Sequence, residues 1–486
     1  MLAIVGVFVV SRAAAYAAGV RFDDHLLHYA YQLLDVDLLR HDPFVSIYYL
    51  HSQPPLFNAL TALVLQLPSG FVNTTLALVW HAAGLATAVV IYATLVRLGV
   101  RAPLAAGVVC VFIVSPEALL VENWFFYSQI QMLFTALLLF GLARFATTGS
   151  TADGLLFTGS LGALVLLRSS FHPLVMVLLI VIVWRQLRID ARRVAALAAI
   201  PIVLVAAWSI KNVVVFDSWS NSTWVGMNLS YIAHAGTTPA RCRELVAHRT
   251  VSPLACVRAF SEPGAYTRAF PNPEHYGAAA TDQLRKSTGQ PNFNASLYID
   301  VAKRYQQDAI DLLSDGGPAA VARAELAAYT VWAEPGDDAL QLEHVRAPIA
   351  GYADWFDRLV LLRPVATGRN DPSRFAAGAG AFPWGDALGS ISYTLLAVFA
   401  LAMYGAVAGW RRGTRGDRAL LSVCTVALVV LVYSVVLGNA LDFRENNRFR
   451  VEVAPVMLVL AGVGAELVLR RRASRREARR GDAPDA

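Results

Sequence analysis

Ten apolar runs divide this 486-residue chain, near residues 2–19, 72–96, 103–121, 125–144, 154–168, 173–184, 194–212, 386–410, 419–438 and 453–470. A helix needs about 20 residues to cross the ~30 Å hydrocarbon core of a bilayer. No water there can satisfy a free N–H or C=O, so a spanning segment must bond its own backbone, as a helix does. The chain is therefore predicted to be an all-α polytopic membrane protein with about ten transmembrane helices. Composition agrees: 56% of residues are hydrophobic, 16% are charged, and the mean hydropathy is +0.49. That balance excludes a soluble multidomain enzyme and a disordered chain, and four cysteines exclude a disulfide-dense secreted scaffold.

Charge orients the runs. Arg97, Arg101, Arg144, Arg185, Arg188, Arg192, Arg193, Arg411, Arg412, Arg415, Arg418 and the cluster from Arg470 to Arg480 gather on one side, which the positive-inside rule makes the cytoplasm. Arg144 and Arg185 must both face inward, so the stretch between them crosses twice and turns outside at Arg168–Pro173. Both termini then lie in the cytoplasm of a plasma (inner) membrane protein. The basic tail, 471–486, reads as a solvated stop-transfer flank, and no nucleic-acid partner is expected. The first run lacks a basic leader and reads either as an uncleaved first span or as one clipped by a late start codon.

This topology yields a transmembrane core at 1–212 with a first outer loop at 20–71. An extracytoplasmic, mainly helical insertion at 213–385 follows between spans seven and eight, and C-terminal spans occupy 386–470. In the first loop an amphipathic helix is expected around residues 25–38, and a second helix from Pro54-Pro55. In the insertion, helical patterns fall near 277–287, 295–314, 317–333 and 350–363. Cys242 and Cys256 both lie there, where an oxidising compartment lets them pair.

Ionisable residues at the outer ends of spans are costly there and mark a cavity or a site. Asp23-Asp24 follows the first span. One acid would cap a helix; two can supply a general base or a metal ligand. Glu122 ends the third span, and His51-Ser52-Gln53-Pro54-Pro55 closes the first loop. Arg168, His172, Lys211, Arg444, Arg448 and Arg450 place cations on the side that the topology rule leaves poor in them. An anionic partner at that surface explains their position.

An acidic pair after span one, a His followed by Pro-Pro-Leu, an acid closing span three and the late Glu445-x-x-Arg448-x-Arg450 together resemble the GT-C superfamily of membrane glycosyltransferases. The nearest branch is that of protein O-mannosyltransferases and lipid A aminoarabinose transferases. The likeness covers 1–212 and 438–456 and not 213–385; Asp-Asp replaces that branch's Asp-Glu, and two residues separate His51 from Pro54. The resemblance implies a donor sugar on a polyprenyl phosphate and transfer, with inversion, to a hydroxyl of a protein, lipid or polysaccharide acceptor outside the cytoplasm. It implies Asp23 as base, with Asp24 as the alternative. Arg168, Lys211, Arg448 and Arg450 would hold the donor phosphate. His51, Gln53, His172 and Glu445 would line the substrate loop, and Asp24 with Glu122 would position the base or hold a divalent cation such as Mg or Mn. A phosphate leaving group needs no protonation, so one carboxylate suffices. The competing classes are a transporter or lipid-linked sugar flippase, disfavoured because the charges sit at one rim rather than at midplane, and a noncatalytic cell-envelope assembly partner.

Overall fold

The structure is a computed structural model that describes residues 1–338, 342–364, 382–414, 416–441, 443 and 445–481. Arg444 lies outside these residues, as does 365–381 of the expected insertion. Among them the chain is helical, and its β pairing is limited to isolated bridges at Asp23–Trp124 and Arg285–Pro291.

Helix α1 (Leu2–Ala17) opens the chain, and the first loop carries four short helices: α2 (Leu26–Tyr29), α3 (Val36–His41), α4 (Pro43–Tyr48) and α5 (Leu56–Leu65). The bundle continues with α6 (Ser69–Arg97), α7 (Ala102–Val114), α8 (Pro116–Glu122), α9 (Tyr127–Thr148), α10 (Thr151–Leu167), α11 (Pro173–Leu187) and α12 (Ala191–Phe216). Outside it come α13 (Val225–Gly236), α14 (Pro239–Ala247), α15 (Ala279–Asp282), α16 (Leu297–Trp332), α17 (Glu343–Arg346), α18 (Ala350–Leu359) and α19 (Trp384–Ser390). The bundle closes with α20 (Tyr393–Gly413), α21 (Arg418–Leu441), α22 (Asn446–Glu452) and α23 (Ala454–Gly481).

Five helices among the described residues are long and apolar enough to span a bilayer: α6, α9, α12, α20 and α21, the last through Ala440. The number rises to seven when the bent pairs α7–α8 and α22–α23 each count as one. The shorter apolar helices α1, α10 and α11 occupy three more of the expected runs. This is a helical membrane protein.

The 61° bend between α7 and α8 has a local cause. Pro116 cannot donate to the preceding turn, and Ser115 caps the new helix by accepting from the Ala118 N–H at 3.2 Å. The carbonyls freed at the break find donors, Arg12 Nη1 on Ile113 O at 2.5 Å and the Tyr352 hydroxyl on Val114 O at 2.6 Å. Elsewhere small residues bring helices together: a Cβ on Gly405 of α20 would run into the backbone of Leu460 and Gly464 in α23.

Four expected boundaries shift. The single helix over 25–38 is broken between α2 and α3, because tertiary partners take its backbone. The Asn58 amide accepts from Leu34 N at 2.8 Å and donates to Gln32 O at 3.0 Å, while Lys286 Nζ donates to Ala30 O at 2.7 Å. Of 277–287 only α15 is helical. The runs 295–314 and 317–333 form one long helix, α16, kinked where Gly317 has φ 64° before Pro318. The eighth apolar run divides into α19 and α20, with Ser392 capping α20 by accepting from Leu395 N at 3.2 Å.

Candidate functional site at the rim of the bundle

Asp23 is positioned by its own backbone. Beyond the end of α1 the chain runs extended, and the Asp23 N–H donates to Asn123 O at 2.8 Å while its carbonyl accepts from Phe125 N at 2.9 Å. The loop after α1 is thus stitched to the α8–α9 connection. The Asp23 side chain keeps 19% of its surface exposed. Its Oδ1 accepts the His25 N–H at 3.1 Å, and its Oδ2 lies 2.7 Å from His344 Nε2. Asp24 is half-buried, and its carbonyl accepts from Leu27 N at 2.8 Å to start α2.

A row of aromatic rings leads inward from Asp23. Trp124 stacks on Phe126 with ring centres 4.6 Å apart, and Phe126 lies 4.1 Å from Tyr127. Arg448 crosses the Phe126 face at 4.9 Å and donates to the Tyr127 hydroxyl at 3.1 Å. Arg168 covers Phe449 at 4.2 Å. Both arginines meet one buried carboxylate: Arg448 Nη1 is 3.1 Å from Glu452 Oε1, and Arg168 pairs with Glu452 Oε2. Glu445 accepts from Arg448 Nε at 2.8 Å. Arg450 turns away to Glu117 at 2.9 Å and to the carbonyls of Trp332 and Glu334, each at 3.1 Å.

Three of the four cations expected to hold a phosphate are therefore paired with carboxylates. Lys211 differs. Its Nζ donates to Leu50 O at 2.5 Å and sits 3.7 Å over Trp208, with no carboxylate bonded to it among the described residues. Trp208 packs against the same large apolar cluster that includes Trp124 and Phe125.

Glu122 is buried, and both of its oxygens bond the Arg12 guanidinium, Oε2 at 2.8 Å from Nε. Any side chain at Gly84 would collide with that carboxylate. Asp24 and Glu122 consequently do not fit a divalent cation, since the bidentate arginine already takes Glu122. Among the described residues the acids close enough to share an ion are Asp337, Asp338 and Asp357, whose oxygens lie within 4.8 Å of one another. Guanidinium groups fill that space too: Arg346 Nε bonds Asp337 at 2.9 Å and Arg363 Nη1 bonds Asp357 at 3.1 Å.

The remaining expected residues brace the structure. His51 is fully buried, with Nε2 donating to Asn294 O at 2.8 Å and Nδ1 accepting from Thr223 Oγ1 at 2.9 Å. Burial pushes its imidazole down to about 3, and the nearby Lys211 charge pushes the same way. Gln53 is buried beside it. His172 caps α11 by accepting from Leu174 N at 3.3 Å. Cys242 and Cys256 are joined in a disulfide.

Sequence reading missed His344, Glu452, Glu117 and the role of Arg12. Arg12 had a usable signal, because a charge inside an apolar run needs a partner of opposite sign. His344 had none, being 321 residues from Asp23.

No family model and no curated protein matches the chain. Among solved structures it is similar to the archaeal oligosaccharyltransferase AglB from Archaeoglobus fulgidus, solved with an inhibitory peptide and a dolichol-phosphate. The identity is 12% and the TM-score 0.42, over 99% of this chain and 52% of that one, so the chain spans about half of AglB's length. It is also similar to ArnT from Cupriavidus metallidurans, at 14% identity and a TM-score of 0.32, over 95% of this chain and 77% of that one.

Proposed function

We propose that this protein is a glycosyltransferase that moves a sugar from a polyprenyl-phosphate donor to an acceptor hydroxyl at the extracytoplasmic membrane surface, with inversion at the anomeric carbon. The observations that carry this reading are an accessible carboxylate, Asp23, and a cation bonded to no carboxylate among the described residues, Lys211, each set against an aromatic ring, Trp124 and Trp208 respectively. Asp23 takes the acceptor proton as the hydroxyl oxygen attacks the sugar. Lys211 faces the leaving phosphate, whose growing charge it stabilises best away from bulk water. Aromatic rings beside both groups suit the faces of a sugar ring and a lipid-tailed donor. Arg168 and Arg448 act through Glu452, holding the rings of Phe126, Tyr127 and Phe449 in place. His51 and Ser52 brace the first loop against Ser222, Thr223 and Asn294.

The test is transfer in proteoliposomes supplied with radiolabelled polyprenyl-phosphate mannose, arabinose and glucose and a cell-envelope extract as acceptor source. Labelled product is expected with wild type and is lost in Asp23→Asn. Full activity in that variant refutes the assignment, and transport of the donor without transfer favours a flippase.

A further inference from the structure

Asp23 is met by a distant part of the chain. His344 belongs to α17 and places Nε2 2.7 Å from Asp23 Oδ2. A carboxylate oxygen accepts, so Nε2 carries the proton. The strap around His344 is fastened at several points. Arg346 Nε bonds Asp337 at 2.9 Å and its Nη2 bonds Asp354 at 2.7 Å. Pro348 packs on Gly19, just beyond α1, and the Tyr352 hydroxyl donates to Val114 O at 2.6 Å where α7 breaks. The histidine is therefore delivered to Asp23 by a segment tied to the ends of two bundle helices. His25, stacked on Tyr29 at 4.1 Å, turns its edge to the His344 ring 6.5 Å away and flanks the contact.

We infer that His344 is a positioning residue for Asp23, an inference that rests on the glycosyl-transfer reading above. The Asp23 backbone is fixed on both sides, which leaves rotation of its side chain as the remaining freedom. The His344 N–H removes that freedom by holding Oδ2. Oδ1 keeps a lone pair beyond the one used by the His25 N–H. In the step this supports, the acceptor O–H bond breaks and its proton passes to Oδ1, the acceptor oxygen bonds the anomeric carbon, and the sugar–phosphate bond breaks with its electron pair leaving on phosphate. His344 touches none of the reacting atoms. It keeps the base within reach of the hydroxyl, and a displacement of about 1 Å at such a group lowers rate on the order of 100-fold.

The experiment uses full-length protein in proteoliposomes with radiolabelled polyprenyl-phosphate mannose, arabinose and glucose. His344→Ala should lower kcat roughly 10- to 100-fold with donor KM within about twofold. His344→Gln, whose amide N–H reaches the same oxygen, should stay within about threefold of wild type. Adding His344→Ala to Asp23→Asn should change nothing further. Wild-type kcat in His344→Ala, or equal losses in the Ala and Gln variants, overturns the inference. Absence of labelled product with wild type sinks the glycosyl-transfer reading, an active Asp23→Asn sinks Asp23 as the base, and an inactive Asp23→Asn beside a fully active His344→Ala sinks the positioning role alone.

Discussion

Asp23 and Glu122 are two carboxylates near one rim of the bundle, and the fold treats them oppositely. Glu122 is buried with both oxygens on Arg12, and Gly84 is kept small to make room for it. Asp23 retains solvent access, and neutral or titratable donors, not a guanidinium, bind its oxygens. An acid at a span end is therefore not a site by virtue of its position. What separates a reactive carboxylate from a structural one is whether a fixed positive charge has already consumed its lone pairs. The same contrast divides the cations, with Arg168, Arg448 and Arg450 bound to glutamates and Lys211 bound to a carbonyl.

The sharpest way to break this contrast is at Asp23, where Asp23→Asn should cost 10²- to 10⁴-fold in kcat, the range of a general base, read by labelled-sugar transfer with thermal unfolding unchanged. Glu122→Ala should do the reverse. It strands Arg12 and should destabilise by about 3–5 kcal/mol, read by unfolding in detergent. The double replacement Arg12→Met with Glu122→Met should return most of that stability and the activity with it; restored stability without activity would make Glu122 part of the chemistry.

Two smaller effects follow. Cys242→Ser should cost about 3 kcal/mol, as expected for a loop of 14 residues, and should match the effect of reductant on wild type. Lys211→Met should raise donor KM about tenfold while leaving the Arg168–Glu452 cluster and the melting temperature intact. His51 supplies an effect whose sign can be worked out. The unfolded chain protonates it near 6.5, whereas burial holds the folded form neutral down to about 3. Stability contributed by neutral His51 is present above 6.5 and falls by about 1.4 kcal/mol per unit as pH drops through that window. His51→Gln should flatten this slope in pH-dependent unfolding.

Much of the architecture was legible before any coordinates. Apart from the eighth, which splits into α19 and α20, the apolar runs became helices or bent pairs because hydropathy is a local property, and the break at Pro116 follows from a missing N–H. Cys242 and Cys256 are joined in a disulfide. The first loop was misread where long-range partners, Asn58 and Lys286, captured backbone groups that a local pattern assigns to one helix. At the site, Asp23 stood out by its place in the chain, but its partner His344 did not.

Hydropathy, turn chemistry and the sign of loop charges determined that this chain is a helical membrane protein with ionisable residues crowded at span ends. Only the tertiary structure decided which of those residues neutralise one another and which stay available. Ion pairing depends on approach within a few ångströms of groups far apart in sequence, and helix packing, rather than any local pattern, sets those distances.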